Sequence, residues 1–309
     1  MGAVSQPLVT HNGGVVGTVR DYSELVKLRV TSLIVMTACC GYYFASRQSG
    51  FPVLGLGLVH ALLGIGMVSS GTAALNEVME RDTDRLMART ARRPMPAGRM
   101  RALHGAFVGT ALAAGGSLYL AFFTNALTGL LTFLTSAVYL AAYTPLKRVS
   151  PWCTFVGAFP GAMPGVLGWT AASGKIEVGA AVLFSILFLW QFPHFFSIAW
   201  LYREDYAQGG IRMLPVVEPS GRATAQRILA YSLILIPVSM LPTFVEMAGR
   251  VYLGSALVLG VLLFCVGLRL ALLERPIASG ISKMRARQLL QATIVYLPVL
   301  FVIMMMNSK

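Results

Sequence analysis

Nine stretches of the chain are nearly free of charge, and each is about as long as a bilayer core is thick. They cover residues 30–47, 52–78, 103–123, 125–144, 151–172, 178–200, 227–247, 251–273 and 287–306. A spanning helix needs about 20 mostly apolar residues. The runs are too long for strands of a membrane barrel and lack the apolar–polar alternation of such strands. The pattern therefore predicts an all-α, polytopic membrane helical bundle of nine transmembrane helices. Prolines inside the runs (Pro160, Pro164, Pro193, Pro237, Pro242, Pro298) fit a bundle, because neighbouring helices can satisfy the freed backbone groups. Residues 1–21 read as a flexible amino-terminal segment, and 22–309 as a single transmembrane domain.

Composition agrees. Of 309 residues, 56% are hydrophobic and 12% charged, with a mean hydropathy of +0.69. Soluble domains are about 25% charged. That excludes an ordinary soluble enzyme, a disordered chain and a nucleic-acid-binding module. The four cysteines (Cys39, Cys40, Cys153, Cys265) form no CxxC and read as small buried apolar residues. The first 29 residues lack a signal-peptide core and are not a transit peptide, which points to a bacterial inner membrane.

Charge sets the orientation. With nine spans, 21 of the 25 Lys and Arg fall on the amino-terminal side and four (Arg47, Lys175, Arg250, Lys309) on the other. Positive residues gather in cytoplasmic loops, so the amino terminus is expected in the cytoplasm. Ten of the twelve acidic residues, all but Glu177 and Glu246, share that side. Topology does not ask for this, so the acids are the first pointer to function.

The segment from Asn76 reads NEVMERDTDRLMARTARRPMPAGRM. If the second span stays helical, Asn76, Glu80 and Asp84 line one face, drifting about 40° per four-residue step, and Asp82 points away. An amide oxygen and two carboxylates in a row suit Mg²⁺, which takes hard oxygen ligands with phosphate and water. Arg81, Arg85 and Arg89 repeat the four-residue step on a neighbouring face, with Arg92 and Arg93 following, and guanidinium groups fork onto phosphate oxygens. The competing reading is a salt-bridged helix end whose arginines serve topology. A second constellation, WQFPHFFSIAWLYREDYAQGGIRMLP from Trp190, puts His194, Tyr202 and Asp205 near one face. An ionisable residue inside a span is a functional candidate; the bland alternative for His194 is a core imidazole bonded to a carbonyl freed by Pro193. The turn YTPLKR adds Tyr143, Lys147 and Arg148 on the same side, again with topology as the alternative.

These residues resemble the UbiA-type intramembrane prenyltransferases, and within them the protohaem IX farnesyltransferases, or haem O synthases. The likeness is carried by Asn76-x3-Glu80-x3-Asp84 with Arg89-Thr90-x2-Arg93-Pro94-Met95-Pro96-x-Gly98, and by Tyr143-Thr144-x2-Lys147-Arg148. Gly161-x2-Pro164-x3-Gly168-Trp169 adds to it, as does Trp190-x2-Pro193-His194-Phe195 running into Arg203-Glu204-Asp205-Tyr206 and Gly210-x2-Met213-Leu214-Pro215. It spans roughly residues 22–306. The chain departs from the broad pattern at Glu80, where Asp is commoner, and at Asp205, which has no acid at 201 or 209.

The resemblance implies transfer of a farnesyl group from farnesyl diphosphate to a vinyl group of haem B, with water added, giving haem O and diphosphate. It implies Mg²⁺ on Asn76, Glu80, Asp84 and Asp205. Diphosphate would meet Arg29, Arg81, Arg85, Arg89, Arg93, Lys147 and Arg148. Tyr143, Trp169 and Tyr202 would stabilise allylic cation character through their ring faces. Haem needs its own site. Of His11, His60, His104 and His194, the last is the candidate axial ligand, since His60 points away from Asn76, His11 lies in the amino-terminal segment and His104 opens span three. The implied partners are the lipid bilayer and haem A synthase or terminal oxidase assembly, with no nucleic acid. The rival within the class is a prenyltransferase acting on a quinone precursor or another aromatic. The rival outside it is a membrane transporter, against which the charges sit at one surface rather than mid-membrane.

Overall fold

The computed structural model describes residues 15–273 and 276–309, with side chains from Thr18 onward. His11, Arg275 and residues 1–14 of the segment expected to be flexible lie outside that range. In chain order the helices are α1 (Val15–Leu25), α2 (Leu28–Ser49), α3 (Leu56–Asp84), α4 (Ala102–Phe123), α5 (Ala126–Val138), α6 (Thr144–Leu146), α7 (Cys153–Ser173), α8 (Val178–Leu201), α9 (Arg203–Gln208), α10 (Leu214–Val217), α11 (Arg222–Phe244), α12 (Arg250–Ala271) and α13 (Gly280–Met306). A π turn, Tyr139–Tyr143, joins α5 to α6 without a break. Among the described residues there is no strand, only an isolated bridge between Ala248 and Ser308.

Eight of these helices are long and apolar enough to cross a bilayer: α2, α3, α4, the continuous 126–146 run, α8, α11, α12 and α13. The ninth expected span corresponds to α7, a 21-residue helix whose apolar character comes largely from Gly, Ala and Pro. Small residues let the helices approach closely, which is how packing is won where lipid removes the hydrophobic drive. Between α2 and α7, a Cβ on Gly168 would lie 1.8 Å from the Ala38 carbonyl oxygen, and one on Gly41 would lie 2.0 Å from that of Gly165. Between α3 and α4, a Cβ on Gly71 would meet the Ala113 nitrogen at 2.4 Å. So α2 is seated between α3 and α7, and α8 packs on α7, α11 and α13. The core between them holds Phe44, Trp169, Leu183, Ile186 and Phe192. Large apolar side chains such as Leu103, Phe122, Val258 and Met306 face outward, as a lipid-covered surface requires.

One expectation is corrected here. Residues 15–21, read as flexible, are part of α1. Arg99 fixes that helix through Asp21 (2.8 Å) and Glu24 (3.0 Å), and Tyr22 hydrogen-bonds His104 at 2.6 Å. Leu25 is fully buried in a cluster with Ala74 and Met95. The cysteines differ too: Cys153 is buried, Cys39 and Cys40 are half-buried, and Cys265 is exposed.

Candidate active site

The site forms where α3 ends. The span predicted to stop near residue 78 stays helical to Asp84, so Asn76, Glu80 and Asp84 do share one inward face, and all three are buried. The chain then leaves the helix for a series of turns. The Thr90 hydroxyl donates to the Asp84 carbonyl at 3.0 Å, satisfying one of the groups a helix end leaves open. Because the helix ends there, the expected arginine row breaks up. Arg81 and Arg85 are exposed and lie 3.6 Å and 3.8 Å from Asp82, itself 69% exposed on the outer face. Arg85 also donates to the Pro96 carbonyl at 3.1 Å.

Each residue of the inner row is met by a cation from a different element. Lys147, just past α6, donates to Glu80 at 2.7 Å, and both side chains are 11% exposed. Arg93, in the 85–101 connection, donates to Asp84 at 2.5 Å. Lys27, between α1 and α2, donates to the Asn76 amide oxygen at 2.8 Å, and the amide nitrogen donates to Thr144 at 3.1 Å. The Lys147 ammonium lies 4.4 Å from the centre of the Tyr143 ring. Burial works against the Lys147 charge, but the Tyr143, Tyr139 and Glu80 oxygens outweigh it and hold its pKa above the ordinary value. Burial pushes Lys27 down to about 8, with Arg93 and Lys147 acting in the same direction. The π turn ends at Tyr143, so an irregular piece of backbone presents Tyr143, Thr144 and Lys147 to α3. Such turns often mark functional positions.

Lys27 is the residue that sequence reading missed. It adopts a left-handed backbone conformation (φ 47°, ψ 52°), uncommon for a side chain other than glycine. That break between α1 and α2 turns Lys27 inward, while Arg29, expected on diphosphate, is exposed on α2. Trp169 is not brought to the site either. It lies about 18 Å along α7 from Gly157, the residue that packs on Tyr143, and its indole donates to Glu177 at 2.8 Å at the far end.

The second constellation closes over the first. The Arg89 backbone N–H donates to Asp205 at 3.2 Å. Its guanidinium lies 5.5 Å and 5.8 Å from the ring centres of Tyr202 and Tyr206. Arg148 donates to the Thr83 hydroxyl, and the Arg212 N–H donates to the Lys147 carbonyl at 2.8 Å. His194 faces elsewhere, toward α13. The Thr293 hydroxyl donates its one hydrogen to the Leu290 carbonyl at 2.6 Å, so it accepts from His194 Nδ1–H at 2.9 Å. The imidazole, stacked on Trp190, is thereby fixed with a free lone pair on Nε2.

Among the described residues, no three His, Cys, Asp or Glu side chains converge as a closed metal group. The row still fits Mg²⁺, which is held by one or two carboxylates together with substrate phosphates and water rather than by an all-protein cage.

A profile of the UbiA prenyltransferase family matches residues 34–289. The chain belongs to this family. Among its similar relatives, a protein of Koribacter versatilis (strain Ellin345) named protoheme IX farnesyltransferase is 54% identical over 99% of both chains. Another of that name from Solibacter usitatus (strain Ellin6076) is 46% identical over 93% of this chain and 98% of its own. The UbiA fold recurs in a solved digeranylgeranylglyceryl phosphate synthase, with a TM-score of 0.71 and 16% identity, covering 94% of this chain and 98% of that one. It recurs in a UbiA homologue from Archaeoglobus fulgidus bound to DMAPP and Mg²⁺, with a TM-score of 0.59 and 15% identity, covering 90% of this chain and 99% of that one.

Proposed function

We propose that this UbiA-family chain transfers a farnesyl group from farnesyl diphosphate to a vinyl group of haem B and releases diphosphate, giving haem O. The observation that carries the chemistry is the buried oxygen row Asn76–Glu80–Asp84 interleaved with Lys27, Lys147 and Arg93. The choice of haem as acceptor rests on the near full-length relatives of that name.

In the reaction the allylic C–O bond of farnesyl diphosphate breaks and its electron pair leaves with diphosphate. The vinyl group supplies the pair for the new C–C bond. Water then adds to the porphyrin side chain and loses a proton. Mg²⁺ bound with the diphosphate supplies Lewis-acid charge to the departing oxygens. Asn76, Glu80, Asp84 and Asp205 are the groups that would hold it. Lys147, Arg93, Arg89 and Arg148 oppose the charge that develops on the leaving group, from positions fixed before reaction, with Arg85 at the rim. Tyr143 and Tyr202 offer ring faces to allylic positive charge. His194, with Nε2 free, is the proposed axial ligand of the haem iron, itself part of the substrate. Seclusion between helices delays capture of the reacting centre by water.

In this reading α7 is the ninth span, the amino terminus is cytoplasmic, and the site opens to the cytoplasmic face of a bacterial inner membrane. The product is then available to a haem A synthase or to terminal oxidase assembly. The test is incubation of the purified protein with farnesyl diphosphate, haem B and Mg²⁺, followed by mass analysis of the haem. A farnesylated, hydrated haem is expected. Unmodified haem alongside a prenylated phenol or quinone precursor would overturn the acceptor assignment.

A further inference from the structure

Glu77 is a buried acid on α3 for which the reaction above has no use. It follows Asn76 by one residue, about 100° round the helix, and meets the 85–101 connection, where one of its oxygens accepts the Met95 N–H at 3.2 Å. Resting on the reaction proposed above, we infer that Glu77 is a positioning residue: by holding Met95 it sets the place of Arg93, two residues earlier, at the leaving group.

Arg93 reaches Asp84 from a run of turns, with no helix to hold it. Pro94 and Pro96 have no N–H, so Met95 carries the only backbone donor between Arg93 and Ala97, and Glu77 takes it. Beyond that point the segment bonds to itself. The Ala97 N–H donates to the Arg93 carbonyl at 3.0 Å, Gly98 to the Met95 carbonyl at 3.0 Å, and Arg99 to the Pro94 carbonyl at 2.8 Å. The turn is thus a compact unit whose open donor is tied to α3 by Glu77. The Met95 side chain is fixed as well, in the cluster with Leu25 and Ala74.

Burial gives this bond its weight. Glu77 is fully buried and Met95 nearly so, which closes the contact to solvent. A hydrogen bond from a backbone N–H to a carboxylate is roughly twice as strong as one between neutral groups. Packing alone does not ask for an acid here. The second Glu77 oxygen accepts from no group among the described residues, and a buried acceptor left open costs stability. An acid kept at that cost fits a side chain whose task is to reach Met95 and hold it.

Two variants separate reach from charge. Glu77→Asp keeps the charge but is one methylene short of Met95, whereas Glu77→Gln keeps the length and an acceptor oxygen without the charge. Each is read, on purified protein in lipid nanodiscs, by amide hydrogen exchange of the 93–100 segment and by initial rates of diphosphate release. Glu77→Asp is expected to speed exchange at Met95 and to lower kcat by about 10- to 100-fold, the scale of a misplaced catalytic group, with KM for haem unchanged. Glu77→Gln should recover most of both. Arg93→Met should cost about tenfold less in the Glu77→Asp background than in wild type, an interaction within the usual range for coupled neighbours. Lys147→Met, carried by a different element, should cost its full amount in either background. Glu77→Met replaces Glu77→Asp if the latter is not stably folded. A Glu77→Gln protein as slow as Glu77→Asp would overturn the inference, as would an Arg93→Met cost that is equal in both backgrounds. A wild-type protein that releases no diphosphate would instead sink the reaction beneath it, while exchange at Met95 would still report the hydrogen bond itself.

Discussion

Replacing Lys147 by methionine removes the ammonium and keeps most of its apolar stem. The wild-type contact with Glu80 is 2.7 Å long, and each side chain is 11% exposed. Breaking a buried ion pair from one side costs about 3–5 kcal/mol, since the other charge is left without a partner. The small residual exposure places this pair near the lower end, at about 3 kcal/mol. The lost contact with the Tyr143 ring at 4.4 Å adds about 1 kcal/mol. Denaturant unfolding in mixed micelles, followed by tryptophan fluorescence, measures the loss. The double variant Lys147→Met, Glu80→Met strands no charge and is expected to recover most of it, because an apolar pair often replaces a buried ion pair at little cost. Both variants should lose turnover by about 100-fold or more, as when a preorganised charge is removed from a reacting centre. A single-variant loss under about 1 kcal/mol, the scale of an exposed pair, would refute the reasoning, as would strictly additive losses in the double variant.

Asp84→Asn should lower product formation by about 100-fold or more even at high Mg²⁺, whereas Asp82→Asn should remain within about twofold of wild type, because its ion pairs are exposed and worth under about 1 kcal/mol; equal effects of the two, measured as initial rates, would contradict the assignment of faces on α3. His194→Ala should weaken haem binding and shift the Soret band while leaving diphosphate affinity unchanged; an unaltered spectrum would remove His194 as iron ligand. Gly168→Ala drives a Cβ to 1.8 Å from the Ala38 carbonyl oxygen, so it should cost at least about 1–3 kcal/mol of stability through overpacking, read by the same unfolding assay; a neutral result would show that α2 and α7 separate readily.

Much of the fold was legible because a bilayer imposes length. The eight helices that meet the apolar criterion lie within a few residues of expected runs, apart from ends set by polar turns: α3 runs on to Asp84 and α13 begins at Gly280. The inner oxygen row was readable too, since helical period alone puts Asn76, Glu80 and Asp84 together. What the sequence hid was hidden by backbone breaks. An arginine row spaced by four residues looks helical, but Arg81 lies on the outer face of α3 with Asp82, and the helix stops at Asp84, so Arg85 stays outside too while Arg93 folds back. Lys27 and Arg29 look equivalent as basic residues before a span, and only the left-handed turn at Lys27 separates them. The one available signal was Lys27's place at the boundary of the first apolar run. Trp169 belongs to a sequence motif shared with the site's neighbours, yet motif membership carries no depth. The rise of α7 puts it at the opposite end, bound to Glu177.

The most direct measurement is the mass of haem recovered after purified protein in nanodiscs is given haem B, farnesyl diphosphate and Mg²⁺, with released diphosphate counted in the same reaction. The predicted result is haem carrying one farnesyl group and one added water, formed in step with diphosphate and absent from the Asp84→Asn variant. Unmodified haem, in a preparation that binds farnesyl diphosphate and prenylates a different aromatic acceptor, would contradict it.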